Sequence, residues 1–212
     1  MSYKVKELFY TLQGEGARAG RAAVFCRFAG CNLWSGREED RATAACNFCD
    51  TDFVGTDGPG GGTFPGAAAL AAAIADTWKP RDAAGSRPYV VFTGGEPLLQ
   101  VDSALVEATA AVGFEIAVET NGTIEPPDGI DWLTVSPKPS SELVVRKGQE
   151  MKLCFPQEVA PESVADLDFA HFFLQPIDGP ARATATLGAI EYCRLHPRWR
   201  LSVQTHKFAG FP

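Results

Sequence analysis

Three cysteines in the first quarter of the chain could bind one metal centre. Two residues separate Cys46 from Cys49, and fourteen separate Cys31 from Cys46. Thiolates two residues apart on a turn can converge on one metal, and iron–sulfur clusters are held by such thiolates. A structural zinc site needs four ligands, and the next cysteine, Cys26, lies within a predicted strand. Three thiolates leave one position open, which favours a catalytic [4Fe–4S] cluster. A zinc site and plain buried thiols are the alternatives.

A second motif, Gly94-Gly95-Glu96-Pro97, follows a predicted strand. Paired glycines at a strand end let the backbone approach a ligand closely. Glu96 then offers a carboxylate to a cation such as an ammonium group. A tight turn before a helix is the alternative interpretation.

The elements that must position these residues alternate along the chain beyond Pro65. Strands that alternate with helices predict a parallel sheet with crossover helices. Helices are predicted over 66–78, 98–112 and 181–195, and strands over 22–28, 89–92, 114–118, 132–135, 151–155, 169–174 and 199–203. Polar residues repeatedly follow the strands' carboxyl ends, the edge that carries the active site in parallel barrels.

The fold expected from this order is α/β, a partial TIM-type barrel of about six parallel strands. Its outer helices should be reduced, because a connection such as 122–131 is short and rich in Pro and Gly. The run of glycines at 57–62 cannot offset its ordering entropy by burial, so it predicts a linker or mobile loop.

Length and composition set further bounds. A chain of 212 residues with 45% hydrophobic residues predicts one domain, 1–212, that buries a substantial core. The net charge of −7 argues against non-specific binding to nucleic acid or to an anionic membrane. The sequence has no uninterrupted run of 18 apolar residues, so no membrane span is predicted. No signal peptide is indicated either. We therefore expect a cytoplasmic protein with reduced thiols.

The cysteine pattern Cys31-x14-Cys46-x2-Cys49-Asp50-Thr51 resembles an expanded variant of the motif of the radical S-adenosyl-L-methionine (SAM) superfamily. That variant is typical of the 7-carboxy-7-deazaguanine synthase family of the 7-deazapurine (queuosine) pathway. Leu12-Gln13-Gly14-Glu15-Gly16, Glu119-Thr120-Asn121-Gly122 and Ser136-Pro137-Lys138 resemble further segments of this family, so the resemblance covers nearly the whole chain. It implies a carbon–nitrogen lyase that converts 6-carboxy-5,6,7,8-tetrahydropterin to 7-carboxy-7-deazaguanine with loss of ammonia.

The resemblance also implies a role for each site residue. The [4Fe–4S] ligands would be Cys31, Cys46 and Cys49. The SAM contacts would be Phe48, Gly95, Glu96, Glu119, Asn121, Ser136, Lys138 and Gln175. The pterin contacts would be Leu12, Gln13, Glu15, Arg27, Gly94, His206 and Pro212. Thr51 would ligate Mg²⁺, which prefers hard oxygen ligands, and a guanidinium such as that of Arg27 fits a carboxylate bidentately. A flavodoxin or ferredoxin as electron donor and a homodimer are implied too.

Simpler structural roles stand beside several of these. Arg27 could be an ion-pair partner inside the barrel, Glu15 an exposed loop acid, and Thr51 a turn residue. Three other cysteines are expected in the core: Cys26, Cys154 and Cys193. The last residues, ending in Pro212, are expected to pack over the cavity through Phe208 and Phe211, so that the terminal carboxylate can meet the pterin.

Three rival functions stay open from the sequence. Another radical SAM reaction, such as glycyl-radical activation, would use a protein partner. A zinc-binding module would have no catalytic role. A sugar-phosphate barrel enzyme would not need the cysteines.

Overall fold

The computed structural model describes residues 2–80 and 87–212. In that part of the chain, nine strands form one sheet in the order β3-β1-β2-β4-β5-β6-β7-β8-β9. The strands are β1 (Tyr3–Leu12), β2 (Ala22–Phe28), β3 (Gly62–Phe64), β4 (Tyr89–Gly94), β5 (Glu115–Thr120), β6 (Trp132–Val135), β7 (Lys147–Phe155), β8 (Asp168–Pro176) and β9 (Trp199–Leu201). The α-helices are α1 (Ala67–Thr77), α2 (Ser103–Ala111), α3 (Arg182–Leu195) and α4 (Thr205–Ala209).

Parallel pairing runs through the sheet from β2 to β9. β1 pairs antiparallel with β2 and with β3. The crossovers that carry an α-helix are β2 to β4, β4 to β5 and β8 to β9, while β7 to β8 has one 3₁₀ turn. An open, mostly parallel sheet with few outer helices confirms the predicted fold class. None of the helices in the described ranges has the length and hydropathy that a membrane crossing requires.

The two faces of the sheet differ in what they bury. The outer face packs a large apolar core against α1, α2 and α3, which includes Leu70, Leu105 and Ala189. A smaller apolar cluster, with Tyr89, Val91 and Ala117, lies on the inner face. Side chains alternate along a strand, so the next inner-face residue lies two positions further along. After Val91 on β4 this residue is Thr93, and after Ala117 on β5 it is Glu119, so the inner face becomes polar there. The carboxyl edge of the sheet is therefore where polar groups enter the barrel.

The glycine-rich run at 57–62 packs against β1. Leu8 donates its N–H to the Pro59 carbonyl at 2.8 Å, and Gly58 donates to the Lys6 carbonyl at 2.9 Å. A Cβ at Gly58 would lie 2.7 Å from that same carbonyl oxygen, so only glycine allows the approach. The expectation of a linker or mobile loop was wrong, because backbone hydrogen bonds to β1 supply the order that side-chain burial cannot.

Candidate active site

A cavity of about 320 Å³ opens at the carboxyl edge of the parallel strands. Every predicted site residue except Glu96 lines it. These residues are Leu12, Gln13, Glu15, Arg27, Cys31, Cys46, Phe48, Cys49, Thr51, Gly94, Gly95, Glu119, Asn121, Ser136, Lys138, Gln175, His206 and Pro212. The strand topology thus gathers segments from both ends of the chain at one place.

The three cysteines of the motif face this cavity together. Cys31 accepts a hydrogen bond from the Leu33 N–H at 3.4 Å. The Cys46 thiol donates to Cys49, which raises the pKa of Cys46 and, as the largest influence, lowers the pKa of Cys49 to about 6. In the described ranges no group of three His, Cys, Asp or Glu side chains has the spacing of a metal site. Three thiols on one cavity nevertheless fit the donor set of an iron–sulfur cluster.

The fourteen residues between Cys31 and Cys46 form an insertion that supports the turn carrying Cys46 and Cys49. Their 3₁₀ helix, Glu38–Thr43, carries Arg41. Arg41 Nη1 donates to the carbonyl oxygens of Asn47 and Cys49, each at 3.0 Å. The guanidinium also lies 4.2 Å from the centre of the Trp34 ring. Arg41 therefore fastens the Cys46–Cys49 turn to the insertion.

The Gly94-Gly95-Glu96 turn brings β4 close to Cys31. A Cβ at Gly95 would lie 2.6 Å from the Gly30 carbonyl carbon and 2.8 Å from Cys31 Cβ. Glu96 is fully buried and accepts hydrogen bonds from Leu98 N at 3.0 Å, Thr120 Oγ1 at 2.7 Å and Asn121 N at 2.8 Å. Burial raises its pKa. Glu96 thus holds the neighbouring turn, and its predicted contact with an ammonium group stays a prediction.

Some of the residues predicted to bind SAM are held by hydrogen bonds at the strand ends. Asn121 Nδ2 donates to Oδ1 of Asn32, the residue directly after Cys31, at 2.9 Å. Lys138 Nζ donates to Ser136 Oγ at 2.6 Å. These contacts place amide, hydroxyl and ammonium groups on the thiol side of the cavity.

The Glu15 side chain is only 15% exposed and is paired with a cation, so the interpretation as an exposed loop acid was wrong. Its partner is Lys152, with which it forms a short ion pair, and Gln204 Nε2 donates to its other oxygen at 3.0 Å. Burial is the largest single influence and works to raise the pKa of Glu15, but Lys152 and the amides outweigh it and lower the pKa to about 2. Glu15 is therefore an anionic acceptor facing the cavity.

Arg27 lines the cavity and is also an ion-pair partner inside the barrel. Its Nε donates to Glu7 Oε1 at 2.6 Å. Glu7 was not among the predicted site residues, because β1 was not predicted and a residue on an unpredicted strand has no assigned face.

The C-terminal segment lines one side of the cavity through His206, Lys207 and Pro212. Thr205 N donates to the Gly14 carbonyl at 2.9 Å, and Thr11 Oγ1 donates to the Pro212 carbonyl at 2.8 Å. Lys207 bridges Asp50 at 2.5 Å and Asp178 at 2.7 Å. The prediction that Phe208 anchors the tail was wrong, since this side chain is 69% exposed.

The remaining cysteines divide into two groups. Cys26 is buried in the core, and Cys193 packs against it, as expected. Cys154 instead lines the cavity, 4.0 Å from Ser136 Oγ. The expectation of a core position for Cys154 was wrong because β7 turns residues 150, 152 and 154 to the inner face.

The fold and the site together define a class: an enzyme with an open parallel barrel whose active site combines three thiols with polar groups at the carboxyl edge of the sheet. No protein-family model matches the chain. Curated relatives do. The chain is 66% identical over 216 residues to the 7-carboxy-7-deazaguanine synthase of Bordetella pertussis, with all of both chains covered.

More distant relatives carry the same name. The 7-carboxy-7-deazaguanine synthase of Bacteroides thetaiotaomicron is 36% identical over 98% of this chain and 97% of its own. Among solved structures, QueE from Escherichia coli superposes with a TM-score of 0.68 at 29% identity, over 97% of this chain and 95% of that one. The chain belongs to the 7-carboxy-7-deazaguanine synthase family.

Proposed function

We propose that this chain is a radical SAM lyase that converts 6-carboxy-5,6,7,8-tetrahydropterin to 7-carboxy-7-deazaguanine with loss of ammonia. The observation that carries the proposal is the meeting, in one cavity, of the three motif cysteines with the predicted SAM and pterin residues. Membership of the synthase family supports the same reaction.

The thiol side of the cavity would hold the cofactors. Cys31, Cys46 and Cys49 would bind the [4Fe–4S] cluster. When bound, the reduced cluster supplies the cleavage of SAM that starts hydrogen abstraction from the substrate. Ser136, Lys138 and the other predicted SAM contacts would orient the SAM molecule.

The opposite side of the cavity would hold the pterin. Ionised Glu15 accepts hydrogen bonds, so it suits the amino and ring N–H groups of a pterin. Arg27, half-buried beside Glu7, would bind the substrate carboxylate. The C-terminal tail, with His206 and Pro212, would close over the ring. A cavity of about 320 Å³ suits a small substrate better than the protein partner that glycyl-radical activation needs.

Thr51 would ligate Mg²⁺ through its hydroxyl oxygen. Both carboxylates beside it have cationic partners, since Asp50 pairs with Lys207 and Asp52 with Lys6 at 3.0 Å. A hydroxyl with few other protein ligands suits Mg²⁺, which keeps several of its waters. Thr51→Val should abolish Mg²⁺ activation while SAM cleavage without pterin persists.

The organisation of the chain is also part of the proposal. Residues 1–212 would form one radical SAM core domain whose tail closes the site. A cluster that needs reduced thiols suits the cytosol. The homodimer and the flavodoxin or ferredoxin donor stay predictions.

Cysteine replacement tests the proposed function. Cys31→Ser, Cys46→Ser and Cys49→Ser should each lose cluster iron and all formation of 7-carboxy-7-deazaguanine in an anaerobic assay. Cys193→Ser is the matched control and should keep both. Product formation by the Cys31→Ser protein would refute the proposal.

A further inference from the structure

A lysine without a role in the sequence analysis lies among the carboxylates of the cavity. Lys152, on β7, is 6% exposed and lines the cavity. Its Nζ forms the short ion pair with Glu15 and lies 3.6 Å from Glu119 Oε1. Glu15 follows β1, whereas Glu119 lies on β5, so one ammonium group connects two segments that are far apart in the sequence.

We propose that Lys152 is a positioning residue that fixes the carboxylates of Glu15 and Glu119 and so couples the pterin side of the cavity to the SAM side. This inference rests on the proposed function, in which Glu15 faces the pterin and Glu119 faces SAM. It adds to that function a residue that sets the geometry of both binding sites.

Hydrogen bonds from neutral side chains complete the orientation of each carboxylate. Gln13 Nε2 donates to Glu119 Oε1 at 3.0 Å, and Thr93 Oγ1 donates to Glu119 Oε2 at 3.3 Å. Gln204 Nε2 holds the Glu15 oxygen that Lys152 does not. Neutral donors orient a carboxylate but do not neutralise it. Holding two partly buried carboxylates near each other without a cation is unfavourable. The ammonium group of Lys152 therefore allows both carboxylates to stay ionised in these positions.

Three carboxylates from different parts of the sheet surround Lys152. They are Glu15 after β1, Glu119 on β5 and Glu150 on β7 itself. Burial works against the charge of Lys152, but these three carboxylates outweigh it and raise its pKa. Burial raises the pKa of Glu150, which accepts from Ala17 N at 2.9 Å and does not line the cavity. Glu150 therefore faces the same lysine from outside the binding site.

The test replaces the charge while keeping the length of the side chain. Lys152→Met removes the ammonium group, and Lys152→Arg restores a cation. The first measurement is the pH titration of the Glu15 carboxyl carbon by ¹³C NMR in the protein without cluster, assigned with Glu15→Gln. Lys152→Met should move this titration upward by at least about one pH unit, and Lys152→Arg should return it toward the wild type.

The second measurement is steady-state kinetics of the reconstituted enzyme. Lys152→Met should raise the KM for the pterin by at least about tenfold, because Glu15 and Glu119 then repel each other and leave the positions that Lys152 fixes. It should also move the acidic limb of kcat/KM to higher pH, because Glu15 then takes up its proton at a higher pH. Lys152→Arg should recover most of the loss. Glu150→Gln removes a carboxylate beside Lys152 but none from the cavity, so it should leave the KM unchanged.

A Glu15 titration that does not move in Lys152→Met would overturn the inference, as would an unchanged KM and pH profile. If Lys152→Met does not fold, Lys152→Gln gives the same comparison. If the wild type forms no product, the proposed function fails on its own account. The ¹³C titration still decides then whether Lys152 acts on Glu15.

Discussion

Replacing Gly95 by alanine tests whether the Gly94-Gly95 turn must lie against the cluster-binding loop. Gly95 N donates to the Phe28 carbonyl at 3.3 Å, and Glu96 N donates to the Gly30 carbonyl at 3.0 Å. A Cβ at Gly95 would lie 2.6 Å from the Gly30 carbonyl carbon and 2.8 Å from Cys31 Cβ, where ordinary contact begins at 3.4 Å. Because its neighbours are mainly backbone atoms, the loop that carries Cys31 must move.

The cost follows from the geometry. Overpacking costs about 1–3 kcal/mol, and a clash with backbone belongs at the upper end. For a domain of this size about 3 kcal/mol corresponds to a fall in Tm of roughly 6–12 °C. Displacement of Cys31 should also reduce the iron retained after reconstitution.

The assay pairs thermal unfolding of the protein without cluster with iron analysis after reconstitution. Gly66→Ala is the matched control, since a Cβ there meets nothing within 4 Å and the backbone is extended. Gly95→Ala should lose stability and iron while Gly66→Ala loses neither. A Gly95→Ala protein with wild-type Tm and iron content would refute the reasoning about this contact.

Three further predictions concern the ion pairs and hydrogen bonds of the site. The pKa of Glu15 is lowered to about 2, so its ionised form stabilises the fold above about pH 4.5, and this contribution is lost as the pH falls through about 2. In urea titrations Glu15→Gln should cost at most about 3 kcal/mol at pH 7, and the cost should shrink as the pH falls toward 2. A cost that does not vary with pH would contradict this. Lysine cannot reproduce the stacking of Arg41 on Trp34 or its two hydrogen bonds to the Cys46–Cys49 turn, so Arg41→Lys should lose iron to a chelator several times faster than the wild type. The control is Arg37→Lys, because the Arg37 side chain lies in the same insertion and is 72% exposed. Equal rates of iron loss in the two variants would show that Arg41 does not stabilise the turn. Lys207→Met breaks the ion pairs from α4 to Asp50 and Asp178, so the KM for the pterin should rise about fivefold. The exposed control Lys147→Met should leave this KM unchanged. An unchanged KM for Lys207→Met would show that these ion pairs do not hold the tail.

Much of the parallel sheet could be predicted from the sequence. β2, β6 and α3 lie close to their predicted bounds because apolar runs between Gly and Pro are strong local signals. β1 was missed, since its alternation is broken by a bulge between Val5 and Glu7. β3 and α4 were missed too, because three- and five-residue elements owe their existence to the surfaces they pack on.

The site divides in a similar way. The cysteine spacing indicates the thiol cavity, and the motifs at the strand ends indicate its lining. Pairing partners are not visible in this way, since Lys152 meets Glu15 only after the strands between them are assembled. One local signal existed: Glu150, Lys152 and Cys154 alternate with buried Met151 and Leu153, which assigns the three to the inner face of β7. The exposure of Phe208 depends on which side of α4 meets the cavity, and five residues do not fix that.

The most direct test of the account is an anaerobic reaction of the reconstituted wild-type protein with SAM, Mg²⁺, a reductant and 6-carboxy-5,6,7,8-tetrahydropterin, followed by mass spectrometry and ammonia determination. We expect 7-carboxy-7-deazaguanine and ammonia in equal amounts, and neither product when the pterin or SAM is omitted. A cluster-loaded protein that cleaves SAM but leaves the pterin unchanged would contradict it.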